Sequence, residues 1–170
     1  MPGSRPIPRP LAFLAVLCGG FSGCLSNPPD LAPLADGPWS TYTNDAVGYS
    51  VDHPEALAVE SFNDGQDIAF RYQGSPVVRV VRVTEDQGRR RGLWVGHAPV
   101  GTTPLAGREA KRYIYEHDDG PFVLRTISYV VEHGGKLLAL EFRTNGEEGP
   151  VHRRILDSFR IREESGRATG

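Results

Sequence analysis

Val77-Val78-Arg79-Val80-Val81-Arg82-Val83 is the most β-branched run in the chain. Branching at Cβ suits a pleated backbone. A strand that is apolar on both faces apart from two arginines is expected centrally in a sheet, covered on both sides. Toward the N-terminus, residues 57–62 and 68–72 alternate apolar and polar residues. They flank Asn63-Asp64-Gly65-Gln66, whose Asp-Gly pair predicts a hairpin turn. Tyr49-Ser50-Val51-Asp52-His53 is the first clear strand, and Pro54 ends it.

Toward the C-terminus, residues 85–91 break the pattern with charge and glycine, and residues 93–100 read as an irregular loop or a short strand. Residues 107–116 favour a strand through Tyr113-Ile114-Tyr115, with a turn expected at His117-Asp118-Asp119-Gly120. Residues 122–132 are long enough to pair back across that turn. His133-Gly134-Gly135 predicts another hairpin, returning as a strand with Leu138, Leu140 and Phe142 on one face. The period then changes. Pro150 suits the first position of a helix, Glu147 and Glu148 precede its positive end, and Val151, Ile155, Leu156 and Phe159 recur at helical spacing. His152, Arg153, Arg154 and Asp157 take the other faces. The expected fold class is α+β, an antiparallel sheet of about six strands with a flanking helix or helices.

Several short motifs resemble those of the PsbP-like, Mog1-like proteins. Gly48-Tyr49-Ser50-Val51-Asp52-His53-Pro54 resembles that family's opening strand and "yP" pair. Leu105-Ala106-Gly107-Arg108-Glu109-Ala110 resembles its "G-x-x-A" start of a strand, and residues 136–142 its "gk-x-hydrophobic" strand. Ile155-Leu156-Asp157-Ser158-Phe159 resembles its terminal "i-l-x-S-F" helix. Glu55-Ala56-Leu57 stands where the family usually carries a tryptophan. The resemblance covers roughly residues 39–161. It implies a sheet flanked by helices, used for binding or assembly, with no catalytic constellation to carry over.

The first residues suggest location. Arg5 and Arg9 lie in an acid-free stretch ahead of the apolar residues 11–17, a run too short to span a bilayer, which needs about 20 apolar residues. Phe21-Ser22-Gly23-Cys24 then resembles the lipobox of bacterial lipoproteins, with phenylalanine where leucine is usual. The resemblance implies cleavage before Cys24, a thioether-linked diacylglyceryl group on its sulfur and acylation of the freed amine. Two or three acyl chains, at roughly 0.8 kcal/mol per buried methylene, make such an anchor permanent. The alternative is an ordinary secretory signal that contains a cysteine. The other cysteine, Cys18, lies within the leader, so no disulfide is expected in the mature domain. Removing Arg5 and Arg9 with residues 1–23 makes the formal charge of −2 more negative by two. Nucleic acid is therefore not expected as a partner. Leu25 after the cysteine, in place of aspartate, favours an outer membrane facing the periplasm if the cell is Gram-negative.

The domain organisation follows. Residues 1–23 are a signal peptide, 24–38 a lipidated cysteine with a proline-rich tether, 39–162 the α+β domain and 163–170 a flexible tail. Fully extended at about 3.1 Å per residue, the tether would reach roughly 40 Å.

Residues that carry chemistry are sparse. The five histidines show no metal-ligand spacing, and only His117-Asp118-Asp119 gathers potential ligands, on what reads as a solvated turn. No Gly-x-Ser-x-Gly elbow or phosphate-binding glycine pattern is present. No catalytic residue, metal ligand or cofactor is assigned. Arg89, Arg90 and Arg91 form the one basic run, a candidate partner surface or a solvated edge. The reading is a lipid-anchored, non-catalytic binding or assembly module of the cell envelope, attached to the membrane through Cys24 and engaging an envelope protein. The alternatives are an envelope hydrolase around His117, Asp118 and Asp119, and a small-molecule binder with a pocket between sheet and helix.

Overall fold

The computed structural model describes residues 28–119 and 122–162; the side chains of residues 117, 118, 119, 122 and 123 are not described. In chain order the elements are β1 (Trp39–Asn44), β2 (Tyr49–Pro54), β3 (Ala58–Phe62), β4 (Asp67–Tyr72), β5 (Ser75–Val83), α1 (Glu85–Arg90) and β6 (Gly101–Leu105). They continue with β7 (Arg108–Asp119), β8 (Phe122–His133), β9 (Lys136–Thr144), α2 (Pro150–Ser158) and β10 (Arg160–Ile161). Among the described residues there are two antiparallel sheets. A seven-stranded sheet has the order β3-β4-β5-β9-β8-β7-β6, and a three-stranded one the order β1-β2-β10.

The fold class read from the sequence holds, and the strand count is higher than expected. The valine run forms β5 and lies between β4 and β9, with Val77, Val78, Val80, Val81 and Val83 all buried. β9 takes the middle place. The two sheet faces carry separate cores. On one face Phe70, Val80, Leu140, Phe142 and Ile127 pack against Tyr49 and Val51 of β2 and Val151 and Ile155 of α2. On the other face Val81, Ala139, Val130 and Tyr113 pack beneath Leu93 and Trp94.

Turn chemistry sets the register. Asn63, Asp64 and Gly65 all have positive φ between β3 and β4. Gly134 and Gly135, at φ 57° and 67°, close the β8–β9 hairpin. Two consecutive positive φ values match the type I′ turn that follows the strands' right-handed twist. His133 pairs with Lys136 directly across that turn, which places Ile127 opposite Phe142 and Tyr129 opposite Leu140.

Five local expectations are corrected or sharpened. Residues 85–91 hold a short helix, not a break. The Thr84 hydroxyl oxygen accepts a hydrogen bond from the Gln87 amide, and Gln87 Oε1 accepts one from the Thr84 amide, a capping box that satisfies two orphan donors. Residues 93–100 include a 3-10 turn at Trp94–Gly96, with Trp94 fully buried. The strand before the expected turn runs further than anticipated, so His117, Asp118 and Asp119 pair with Leu124, Val123 and Phe122 as part of β7. β1 and β10 add a second sheet because Trp39 to Asn44 pair with β2 on one side and Arg160 and Ile161 on the other.

The fifth correction concerns the tether. From residue 28 the segment is folded onto the domain and not extended. Leu31 is buried in the larger core, Ala32–Leu34 form a 3-10 turn, and the Pro28 carbonyl accepts from Asn145 Nδ2 at 3.1 Å. Leucine supplies the reason. A segment that buries a leucine gains roughly 2 kcal/mol, enough to offset ordering a short turn whose prolines are already restricted. Residues 1–27 and 163–170, including Cys24, lie outside the described residues.

Candidate functional site: an arginine-lined cleft between sheet and helix

β7 and β8 present alternate residues to the face shared with α2. Arg112 and Ile114 lie on this face, Arg112 across from Tyr129 and Ile114 across from Ile127. Near the N-terminal half of α2 the two layers diverge. They leave an open cleft of about 340 Å³ lined by Arg112, Ile114, Arg125, Ile127, Glu147, Glu148 and Arg153. The apolar floor is Ile114 and Ile127, and the rim is charged.

The three arginines are not equivalent. Arg112 is already engaged: its Nε donates to Tyr129 Oη at 3.2 Å, and its guanidinium stands 3.5 Å from Glu148. The Tyr129 hydroxyl donates in turn to Glu148. Burial and the bond to Glu148 push the Tyr129 hydroxyl up to about 12, so it stays protonated and remains a donor across the physiological range. Arg125 differs. Its Nε is shut off from solvent and has no hydrogen-bond partner among the described residues. Its cross-strand neighbours are Glu116 and Thr144. Arg153 is exposed on α2, and its guanidinium has no hydrogen bond or ion pair among the described residues. The cleft thus holds a satisfied Arg112–Tyr129–Glu148 network beside two guanidinium groups with no protein partner among the described residues.

The arginines of the basic run are matched. Arg89 pairs with Glu85 at 3.1 Å, Arg90 with Asp86, and Arg91 with Asp67 at 2.7 Å. The basic run therefore forms part of a charge-compensated helix, and the structure does not bring it near the cleft arginines' lining residues. A larger groove of about 510 Å³ opens on the opposite sheet face against Trp94, Tyr113 and Leu137. It is the open edge of the smaller core.

The histidines divide between packing and hydrogen bonding. His53 Nδ1 and His133 Nε2 bond the carbonyls of Pro54 and Val47, at 2.9 and 2.8 Å. His97 stacks on Tyr115 with centroids 5.1 Å apart. His152, expected on the polar side of the helix, is buried against Phe142 and is the corrected position here. Its Nδ1 accepts the Gly149 amide at 3.0 Å, capping α2 where glycine offers no side chain. Among the described residues no three His, Cys, Asp or Glu side chains gather as a metal site.

Burial lowers the His152 pKa below 6.5, against the opposing pull of Glu148 and Asp30. The unfolded chain therefore binds the proton first. Stability from this group is full above about 6.5 and falls as pH drops toward the folded-state value. The expected outcome is a urea midpoint that declines between pH 7.5 and 5.5, with a shallower decline in His152→Asn, whose side-chain oxygen still accepts the Gly149 amide.

The sequence reading raised a pocket between sheet and helix without naming its residues, yet a signal for them existed. Arg112 interrupts the apolar face from Ala110 to Ile114 on one strand, and Arg125 immediately precedes the one from Ile127 to Val131 on the next. An arginine at an inward position of a covered strand needs a reason.

No family model and no curated protein matches the chain. Similar solved structures include a protein of Bacteroides thetaiotaomicron VPI-5482, at 6% identity and TM-score 0.54, covering 74% of this chain and 49% of that one. The chain thus spans about half the length of that protein. The solution structure of cyanobacterial PsbP (CyanoP) from Synechocystis sp. PCC 6803 is similar at 13% identity and TM-score 0.50, covering 73% of this chain and 92% of that one. At these identities the likeness establishes a fold: the chain has a PsbP-like α+β architecture.

Proposed function

We propose that this chain is a lipid-anchored protein of the cell envelope that acts as a non-catalytic binding module. The observation that carries the binding role is the cleft between sheet and α2, which sets unpaired arginine donors around an apolar floor. The anchor is carried by the sequence alone, through Arg5, Arg9, residues 11–17 and Phe21-Ser22-Gly23-Cys24. Its setting in this proposal is the outer membrane facing the periplasm of a Gram-negative cell.

The packed segment from residue 28 shortens the attachment. Only residues 25–27 separate Cys24 from the folded Pro28, at most about 14 Å of chain. The proposed anchor therefore holds the domain close to the bilayer, where a long tether would let it stand clear. Arg89, Arg90 and Arg91 remain a secondary contact surface in this proposal. Each is matched by a carboxylate, so their contribution to a charged partner is small.

The test is photo-crosslinking in whole cells from a reactive residue placed at Ile114, on the cleft wall. A discrete envelope component is expected to be trapped by the wild-type cleft and lost when Arg125 and Arg153 are both replaced by glutamine. No product, or the same product with and without those arginines, would set the binding reading aside.

A further inference from the structure

We infer that the short tether turns one particular end of the seven-stranded sheet toward the bilayer headgroups, the end built by Ala56, Gly74, Asn145 and Gly146. The opposite end then points away. This rests on the anchor proposed above at Cys24 and deepens it, naming the surface that the anchor presents to the lipid.

The chain enters the fold at that end. Pro28 is buried, and its carbonyl accepts from Asn145 Nδ2 at 3.1 Å, directly after β9 finishes at Thr144. Leu31 is buried in the larger core, and the Trp39 indole donates to the Ala35 carbonyl at 3.3 Å, so the entry segment is held along its length. Pairing of Val78 with Phe142 and of Tyr72 with Ser75 carries the turn at Gln73 and Gly74 to the same end. Ala58 pairs with Arg71, which brings the exposed Glu55 and Ala56 there as well.

The other end lies a strand length away. β9 runs from Lys136 to Thr144, about 26 Å at roughly 3.3 Å per residue. At its far end His133 Nε2 bonds the Val47 carbonyl at 2.8 Å, and the Arg162 amide donates to the Gly48 carbonyl at 2.8 Å. The described chain therefore leaves the fold at the end opposite to its entry. α1 follows the end of β5, and Arg91 reaches Asp67, the first residue of β4, so the basic run is carried at the far end too.

These lengths decide the orientation. Residues 25–27 allow at most about 14 Å between Cys24 and Pro28. An inverted domain would hold Pro28 about 26 Å from the headgroups, beyond the reach of its own lipid. Upright and tilted poses stay within reach, and averaged over them the end beside Pro28 is the closer one. Arg89, Arg90 and Arg91 accordingly face away from the headgroups and toward other envelope components.

The test uses the full chain, processed and lipidated by cells, in phosphatidylcholine vesicles that contain a lipid with a nitroxide on its headgroup. A thiol-reactive fluorophore is placed on one introduced cysteine at a time: Ala56→Cys or Gly146→Cys at the near end, Glu132→Cys or Arg89→Cys at the far end. The Cys24 sulfur, held as a thioether, does not take the label. A Cβ at Gly146 meets no atom within 4 Å, and Ala56, Glu132 and Arg89 are exposed, so each position accepts the change. Quenching at both near positions is expected to exceed that at both far positions at least threefold. A twenty-residue Gly-Ser insertion between Asn27 and Pro28, spanning about 25 Å, is expected to erase most of that difference. Far positions quenched as strongly as near ones in chains whose intact mass shows the lipid, or a near-end bias unchanged by the insertion, would overturn the inference and leave the anchor standing. Chains without lipid by intact mass, unquenched at every position, would overturn both.

Discussion

Arg79→Met is expected to destabilise the domain by about 3 kcal/mol, the lower end of what breaking a buried ion pair produces. Glu141 is only 1% exposed, in the middle strand of the sheet. Its Oε1 accepts from Tyr115 Oη at 3.0 Å and Ser128 Oγ at 3.2 Å, and Arg79 stands 3.5 Å from its other oxygen. Removing the arginine leaves a carboxylate in the sheet with two hydroxyl donors and no counter-charge. Because the Arg79 side chain is itself 23% exposed, water reaches part of the pair and moderates the loss. Adding Glu141→Gln to Arg79→Met keeps an acceptor for both hydroxyls and removes the charge. The double variant is therefore expected to recover 1–2 kcal/mol, roughly, of the loss, read as a coupling in urea unfolding. A single-variant loss under about 1 kcal/mol would show that the pair is solvated in solution.

The second large effect is expected at Phe142. Phe142→Ala empties a site that is fully buried in β9 and should lower stability by about 3–5 kcal/mol, transfer and cavity contributions together. Against a total of roughly 5–15 kcal/mol for a domain, that approaches unfolding at physiological temperature. The ring meets Tyr129 edge-on at 6.0 Å between centroids and His152 at 5.1 Å. It thus sits behind both the Tyr129 anchor of the cleft and the cap of α2. Phe142→Leu, which refills most of the volume, is expected to lose less than half as much in the same denaturation series.

The contrast between these residues and the cleft shows what the chain made legible. Alternation along residues 136–142 points to Leu138, Leu140 and Phe142 as one buried face, and they are buried. Gly134-Gly135 and Asp64-Gly65 mark their hairpins because few other residues adopt positive φ twice in succession. Pro150 and the helical spacing after it identify α2. These features are local, and local rules suffice for them.

What escaped depends on distant partners. The Thr84 and Gln87 capping box was readable in principle, but Gly88 and the arginines after it resemble a loop until Trp94 and Val95 are seen packing beside them. Trp39 to Asn44 acquire strand character only by pairing with β2, and β10 is too short to announce itself. Leu31 looks like part of a polar, proline-rich spacer because its core partners lie far away in the chain. His152 was expected outward by helical position and is turned inward by the Gly149 amide it accepts. The cleft needed three elements at once. Arg112, Arg125 and Arg153 are separated widely in sequence, and only the β7–β8 register and the placement of α2 bring them to one rim.

We propose that this PsbP-like domain works at a membrane, held there through Cys24. Labelling cells with a radiolabelled fatty acid and fractionating them, with wild type and Cys24→Ser in parallel, measures that directly. The expected result is a labelled, membrane-bound wild type and an unlabelled Cys24→Ser chain lost from the mature membrane pool. A Cys24→Ser chain that is still labelled, processed and membrane-bound would contradict it.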